Sequence, residues 1–212
     1  MSNEKISISV IRRLPRYYRF LGRLKDSGIN RISSGELASR MGLTASQIRH
    51  DLNCFGGFGQ QGYGYDIDKL HFEIGKILGL NNRFKAVLIG VGNLGKAVAS
   101  HISFPDRGFI LDAVFDNNPE IIGNEIGSVA VRNVSELSDY CNDNKPDCAF
   151  LCLPYESAEP IAEILYNSGV RSFWNFSHFD LTLKYDDVIM ENVHLTDSLM
   201  TLCYRMNENI DK

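Results

Sequence analysis

The chain has 212 residues, 44% of them hydrophobic and 23% charged, with a net charge of −4, the make-up of a soluble globular protein. No run approaches the roughly 18 apolar residues of a membrane span, and the opening Met1–Lys5 leads into a charged helix rather than the apolar core of a signal peptide. A membrane role is set aside, and a cytoplasmic protein is expected.

Charge is unevenly placed. Residues 1–80 carry 12 Lys/Arg against 7 Asp/Glu, and residues 81–212 carry 10 against 19. A basic first third on an acidic body suits a polyanion-binding module attached to something else. Five cysteines (Cys54, Cys141, Cys148, Cys152 and Cys203) form neither a CxxC pair nor a zinc-ligand spacing. They read as free thiols in a reducing compartment, and no metal site is expected. Cys148 and Cys152 read as small buried residues of an apolar strand.

Ile8, Ile11, Leu14, Tyr18 and Leu21 fit helical spacing between Ile8 and Asp26. Pro15 is predicted to mark a start or break there, and Gly28 a stop. Ser33-Ser34-Gly35-Glu36 and Thr44-Ala45-Ser46-Gln47 are two capping boxes, each opening a short helix, with Met41-Gly42-Leu43 between them. That is a helix-turn-helix pattern. Phe55–Tyr65 alternates glycine with aromatics and suits a β-hairpin wing. Asp68–Leu80 resumes a helical stripe, and Asn81-Asn82 marks a boundary.

From Phe84 onward apolar runs alternate with helices. The strands are expected at Ala86–Ile89, Phe109–Phe115, Val129–Val131, Cys148–Leu153 and Ser172–Phe176. The helices are expected at Leu94–Ser103, Val134–Asn142 and Ser157–Ser168. This alternation predicts a doubly wound parallel α/β sheet. Thr196–Met206 closes the chain as a capped helix, packed on its own domain or forming a dimer.

Gly90-Val91-Gly92-Asn93-Leu94-Gly95 is a GxGxxG turn that follows a strand and opens a helix, the context in which the motif signals dinucleotide binding. Gly90 allows the tight turn, Gly92 the approach of the pyrophosphate, and Gly95 the packing of helix on strand. Asp116 lies 21 residues after Gly95, near the spacing expected of a ribose-binding acid. It would repel a 2′-phosphate, which favours NADH and NAD⁺ over the phosphorylated forms. Residues 81–212 leave no room for a substrate domain, so the dinucleotide reads as a ligand rather than a reagent. His101, His178 and His194 could donate protons, but no partner for them is visible in sequence. A small NAD-dependent oxidoreductase with a helical extension and a CoA- or nucleotide-binding module remain as alternatives.

On the basic side, the second helix of a helix-turn-helix enters the major groove. Ser46, Gln47, Arg49 and His50 are the candidate base-reading residues, with glutamine suited to adenine and arginine to guanine. Arg12, Arg13 and Arg16 would add phosphate contacts. Gln60, Gln61 and Tyr63 stand at the wing, where uncharged glutamines give a weaker anchor than Lys or Arg.

The order of parts resembles the Rex family of redox-sensing repressors over nearly the whole chain. The matching residues are Ile32–Leu37, Thr44–Leu52, the Phe55–Tyr65 wing, Gly90–Gly95 and Asn175-Phe176. The resemblance implies a winged-helix domain over 1–80, a Rossmann domain over 81–195, and a dimerisation helix over 196–212 swapped between subunits of a homodimer. It implies an inverted-repeat operator as partner, released when NADH closes the dimer, with NAD⁺ competing for the same pocket. The implied nucleotide set adds Val91, Asn93, Leu94, Leu153, Pro154, Asn175 and Phe176. Arg19 matches the family arginine that couples the domains. His101, His194 and Leu195 stand where the family commonly has Tyr, Asp and Phe, so NADH selectivity or its pH dependence is expected to differ here.

Overall fold

The computed structural model describes residues 6–60 and 63–208. The chain divides into two compact units, Met1–Asn81 and Asn82–Lys212.

The first unit opens with α1 (Ile8–Asp26), whose Leu14, Tyr17, Leu21 and Leu24 are buried at helical spacing. Pro15 does not break it. Pro15 and the Ile11 carbonyl it frees both lie on the exposed face, where water can replace the lost bond. Strand β1 (Arg31–Ile32) follows, and then α2 (Ser34–Met41) and α3 (Ala45–Asn53). The Ser33 hydroxyl accepts the Glu36 N–H at 3.1 Å and the Thr44 hydroxyl that of Gln47 at 3.1 Å. Among the described residues neither expected capping box shows its return bond, and the Glu36 carboxylate pairs with Arg40 instead. Gly42, in a left-handed conformation, stops α2. Strands β2 (Gly59–Gln60) and β3 (Gly64–Asp66) form the wing, with β1 on the other edge of β3 in antiparallel register. Helix α4 (Ile67–Ile77), capped by Asp66, closes a core built on Leu37, Ile48, Leu52, Ile67, Leu70 and Ile74.

The second unit is a seven-stranded sheet. Its strands are β4 (Phe84–Ile89), β5 (Phe109–Asp116), β6 (Glu125–Ile126), β7 (Val129–Asn133), β8 (Cys148–Leu151), β9 (Ser172–Asn175) and β10 (Ile189–Asn192). Their order is β10-β9-β8-β4-β5-β7-β6, all pairs parallel except β6 on β7. β4 and β8 are buried along most of their length, as a central parallel sheet requires. Helices α6 (Leu137–Asn144) and α7 (Tyr155–Asn167) cover one face over Val87, Ile89, Ala149 and Leu151. The other face carries α5 (Asn93–His101), packed through Val98 over β4 and β5.

On that second face, β8 to β10 leave an apolar groove of about 610 Å³, lined by Phe104, Phe109, Phe150 and Trp174 with His101 and Glu191 at its polar margin. The chain then continues into α8 (Leu195–Asn207), none of whose residues is buried.

The sheet ends at the edge strand β10, and a reciprocal capping box precedes α6. In the latter, Asn133 accepts from Ser135 N–H at 2.9 Å while Glu136 accepts from Asn133 N–H at 3.3 Å, so a short 3₁₀ turn over Val134–Glu136 precedes α6.

Candidate nucleotide and nucleic-acid interfaces

The glycine turn lies at the carboxyl end of β4, where open parallel sheets bind ligands. Gly90 has φ +93°, and a Cβ there would lie 2.5 Å from the Cys152 carbonyl oxygen and 2.9 Å from Leu153. A Cβ on Gly95 would fall 1.9 Å from the Gly90 carbonyl oxygen. Gly92 differs: nothing stands within 4 Å of its Cβ position, so its outer face is open to an incoming group. Gly92 caps α5 without a side-chain bond, and Asn93 and Leu94 are exposed in the first turn. Free N–H groups and the positive end of the helix dipole therefore face outward, an anion-binding arrangement.

Asp116 ends β5, the neighbouring strand. Its Oδ2 accepts the Val91 N–H at 2.5 Å and its Oδ1 the Asn118 N–H at 2.8 Å. The carboxylate thus ties the glycine turn to the end of β5 and remains partly exposed. On the other side of β4, Leu153 and Pro154 follow β8, with Pro154 at the N-cap of α7. Phe176 follows β9, bonded through its N–H to Leu151 O and packed edge-on against Trp174 at 4.6 Å. The glycine turn, Asp116, Leu153, Pro154 and Phe176 therefore share the carboxyl edge of one sheet.

The side chain of Asn175, expected at the dinucleotide, is fully buried and bonded internally. Its Nδ2 donates to Ser177 O, Phe179 O and Asn192 Oδ1 at 3.1, 2.6 and 2.8 Å, and its Oδ1 accepts from Ser177 N–H and Oγ–H at 3.1 and 2.7 Å. It fastens the loop after β9 to the end of β10.

The three residues expected to discriminate the nucleotide's redox state in this unit do not sit together. His101 ends α5 and lines the groove beside the strand starts Phe109, Cys148, Ser172 and Ile189. His194 follows the other end of β10, at the N-cap of α8, where it stacks on His178 with centroids 4.8 Å apart. Its buried Nδ1 has no hydrogen-bond partner among the described residues. Leu195 is exposed at the start of α8.

In the first unit, Ser46, Arg49 and His50 are exposed on α3 and Gln47 is half-exposed, while Ile48 and Leu52 are buried. Arg49 also donates to the Ser34 hydroxyl at 3.0 Å. Arg12 and Arg19 are exposed on α1. Arg13 and Arg16, expected to add phosphate contacts, also bond within the unit. Arg13 puts its fork on the carboxylate of Asp51, Nε to Oδ2 at 2.6 Å and Nη2 to Oδ1 at 2.7 Å. Arg16 donates to the Met41 carbonyl at the end of α2. Both guanidinium groups thus make bonds inside the unit, while Arg16 remains exposed. At the wing, Tyr63 is exposed and its carbonyl accepts from Arg31 at 3.4 Å. Gln60 lies in β2, and Gln61 lies outside the described residues.

Sequence reasoning missed Asp51 and Tyr17. Tyr17 Oη donates to Asp51 Oδ2 at 2.6 Å, and both residues are buried. The signal was available: Asp51 shares the buried stripe of α3 with Ile48 and Leu52, and a buried acid demands a partner. Burial alone would raise the Asp51 carboxyl, but hydrogen bonds from Arg13 and Tyr17 hold it below the usual carboxylate range. The same burial and the bond to Asp51 push the Tyr17 phenol upward.

Two family models match the chain: "Putative DNA-binding protein N-terminus" over residues 5–53 and "CoA binding domain" over residues 81–179. The redox-sensing transcriptional repressor Rex of Thermoanaerobacter pseudethanolicus is 50% identical over 204 residues, covering 96% of this chain and 91% of that protein. The protein of the same name from Clostridium botulinum is 46% identical over 205 residues, 97% of each chain. Among solved structures, the Rex-family repressor RSP in complex with β-NAD⁺ and operator DNA matches with a TM-score of 0.89 at 50% identity, covering 96% of this chain and 94% of that one. RSP in complex with β-NADH matches at 0.88 and 46% identity, covering 98% and 97%. With half its residues identical along almost its entire length, the chain belongs to the Rex family of redox-sensing transcriptional repressors.

Proposed function

We infer that this chain is a transcriptional repressor that binds operator DNA through its first unit and takes NADH and NAD⁺ as regulatory ligands on its second. One observation carries the reading. RSP, half identical and superposing over nearly the whole chain, was crystallised with β-NAD⁺ and operator DNA together, so a chain of this fold holds both at once. Relatives of this length are named repressors, which makes the dinucleotide a signal and not a hydride source.

Ser46, Gln47, Arg49 and His50 form the base-reading face of α3, with Tyr63, Gln60 and Gln61 of the wing and Arg12 toward the backbone. Gly92 and the first turn of α5 would hold the pyrophosphate, Asp116 the adenosine, and Leu153, Pro154 and Phe176 the nicotinamide half. Two copies exchange α8: its exposed Leu199, Met200, Leu202 and Met206 need an apolar surface, and the groove over β8–β10 is one. His101 and His194 lie toward opposite ends of the strands in one copy. The operator is accordingly an inverted repeat, NADH releases the repressor, and the protein works in the cytoplasm.

Fluorescence anisotropy of the labelled RSP operator duplex, at fixed salt, tests this. NADH should remove binding and NAD⁺ should leave it. Equal affinity for a shuffled duplex, or indifference to both nucleotides, defeats the reading.

A further inference from the structure

The recognition helix carries a buried acid that neither DNA nor nucleotide contact explains. Asp51 is on α3, two residues beyond Arg49, and is fully buried. Its carboxylate receives two bonds from the Arg13 fork and a third from Tyr17 Oη, at 2.6, 2.7 and 2.6 Å. Arg13 and Tyr17 lie four residues apart, on one face of α1. Arg16, between them, reaches the Met41 carbonyl at the end of α2. One helix therefore grips both members of the helix-turn-helix by directed bonds.

Apolar contacts through Ile48 and Leu52 hold α3 against the core, but such contacts are non-directional. A planar guanidinium on a carboxylate is not: two parallel bonds fix the plane and the distance together. We propose that Arg13, Tyr17 and Asp51 are positioning residues for operator recognition, locking the rotation of α3 about its own axis against α1. Ser46, Gln47, Arg49 and His50 are then presented to the groove in one orientation. The proposal rests on the repressor reading above. It also makes α1 and α3 a single rigid body, so that displacement of α1, which bears Arg19, is carried directly to the base-reading face.

The competing role for Arg13 is the phosphate contact that its basic neighbourhood suggested, and the two differ in salt dependence. A lost phosphate contact lowers the slope of log affinity against log salt by about 0.9 and weakens all sequences alike. A lost positioning contact lowers discrimination and leaves the slope unchanged.

The test uses the full chain as wild type, Arg13→Lys, Arg13→Met and Asp51→Asn. Each is titrated against the RSP operator duplex and a shuffled duplex of equal composition, between 50 and 200 mM salt. Arg13→Lys keeps the charge without the fork, and Asp51→Asn keeps the shape without the ion pair. In both, the preference for operator over shuffled duplex should fall about tenfold, the size of one degraded base contact, with shuffled-duplex affinity and salt slope unchanged. If Arg13→Met fails to fold, as judged by its helical circular dichroism, Asp51→Asn and Arg13→Lys still decide the matter. Undiminished operator preference in these two overturns the proposal. So does a uniform loss of affinity in Arg13→Met with a slope lower by about one. A wild type without operator preference would sink the repressor reading itself, a result separable from failure of the variants alone.

Discussion

Gly92 and Gly95 belong to one motif but answer to different constraints, and a single methyl group separates them. At Gly92 an added Cβ meets no atom within 4 Å and the backbone is at φ −67°, so alanine is conformationally free there. On the proposed reading, its methyl would project where the pyrophosphate approaches. Gly92→Ala should therefore melt at the wild-type temperature and lose at least about tenfold in NADH affinity. At Gly95 the same methyl would sit 1.9 Å from the Gly90 carbonyl, which forces helix and strand apart. Overpacking costs typically ~1–3 kcal/mol, so Gly95→Ala should lower the melting temperature of the second unit as well as nucleotide affinity. Calorimetry beside NADH titration separates the two, and a destabilised Gly92→Ala would mean that the open face has another occupant. The cysteines contribute a complementary point. Burial pushes Cys148 and Cys152 up to about 12 and Cys141 up to about 11, so none of these three is a reactive thiolate near neutral pH. The redox signal is accordingly sought in the nucleotide and not in these thiols.

Among elements, α1 and α4 form the frame of the first unit, and their contact includes a titratable group. His71 of α4 stacks on Tyr18 of α1 with ring centroids 4.0 Å apart. Burial, and then the charge of Lys25, lower its pKa from the ordinary value, while Asp68 and Asp26 pull weakly the other way. A histidine depressed in the folded state favours the neutral ring. Its contribution is complete above the unfolded value of about 6.5 and is lost as pH falls through the folded value. Denaturant unfolding of the full chain should therefore show stability falling as the pH drops below about 6.5. His71→Phe should flatten that dependence, and an unchanged pH profile in the variant would assign it elsewhere. The same elements show how far sequence could go. Both helices of the turn were legible from Ser33 and Thr44, because an N-cap is a local contract between a hydroxyl and an N–H two or three residues on. The glycine turn was legible because its spacing encodes backbone geometry. Strand β10 was not, since Ile189–Asn192 is short and half-exposed at the sheet edge, and only its pairing with β9 defines it. The continuation of α1 through Pro15 depended on which face met water. The partners of Arg13 and Asn175 lie 38 and up to 17 residues away, distances at which composition and periodicity carry no information.

At the scale of the molecule, α8 and the groove over β8–β10 pose one problem twice. A 13-residue helix exposes Leu195, Leu199, Met200, Leu202, Tyr204 and Met206, each more than half accessible, which is more apolar surface than an isolated helix leaves in water. On the face beside Trp174, α5 covers β4 and β5 but no helix among the described residues covers β8–β10, whereas the opposite face has α6 and α7. On the proposed reading, exchange of α8 between two copies would cover both surfaces in a closed, two-fold arrangement. Burying the remaining area of six such side chains contributes roughly 10 kcal/mol per helix, and roughly twice that per dimer. Association costs an estimated ~4–15 kcal/mol, so the apolar term exceeds it and favours the dimer. Leu199→Asp combined with Leu202→Asp places two charges per helix in that interface. The variant should sediment as a monomer of about 24 kDa with its helical circular dichroism retained. A monomer offers one recognition helix per particle, so it should bind an inverted-repeat operator no better than a half-site, and NADH should no longer alter its DNA affinity. Should the double variant remain dimeric, α8 is not the dimer contact, and the groove and the helix each need a different partner.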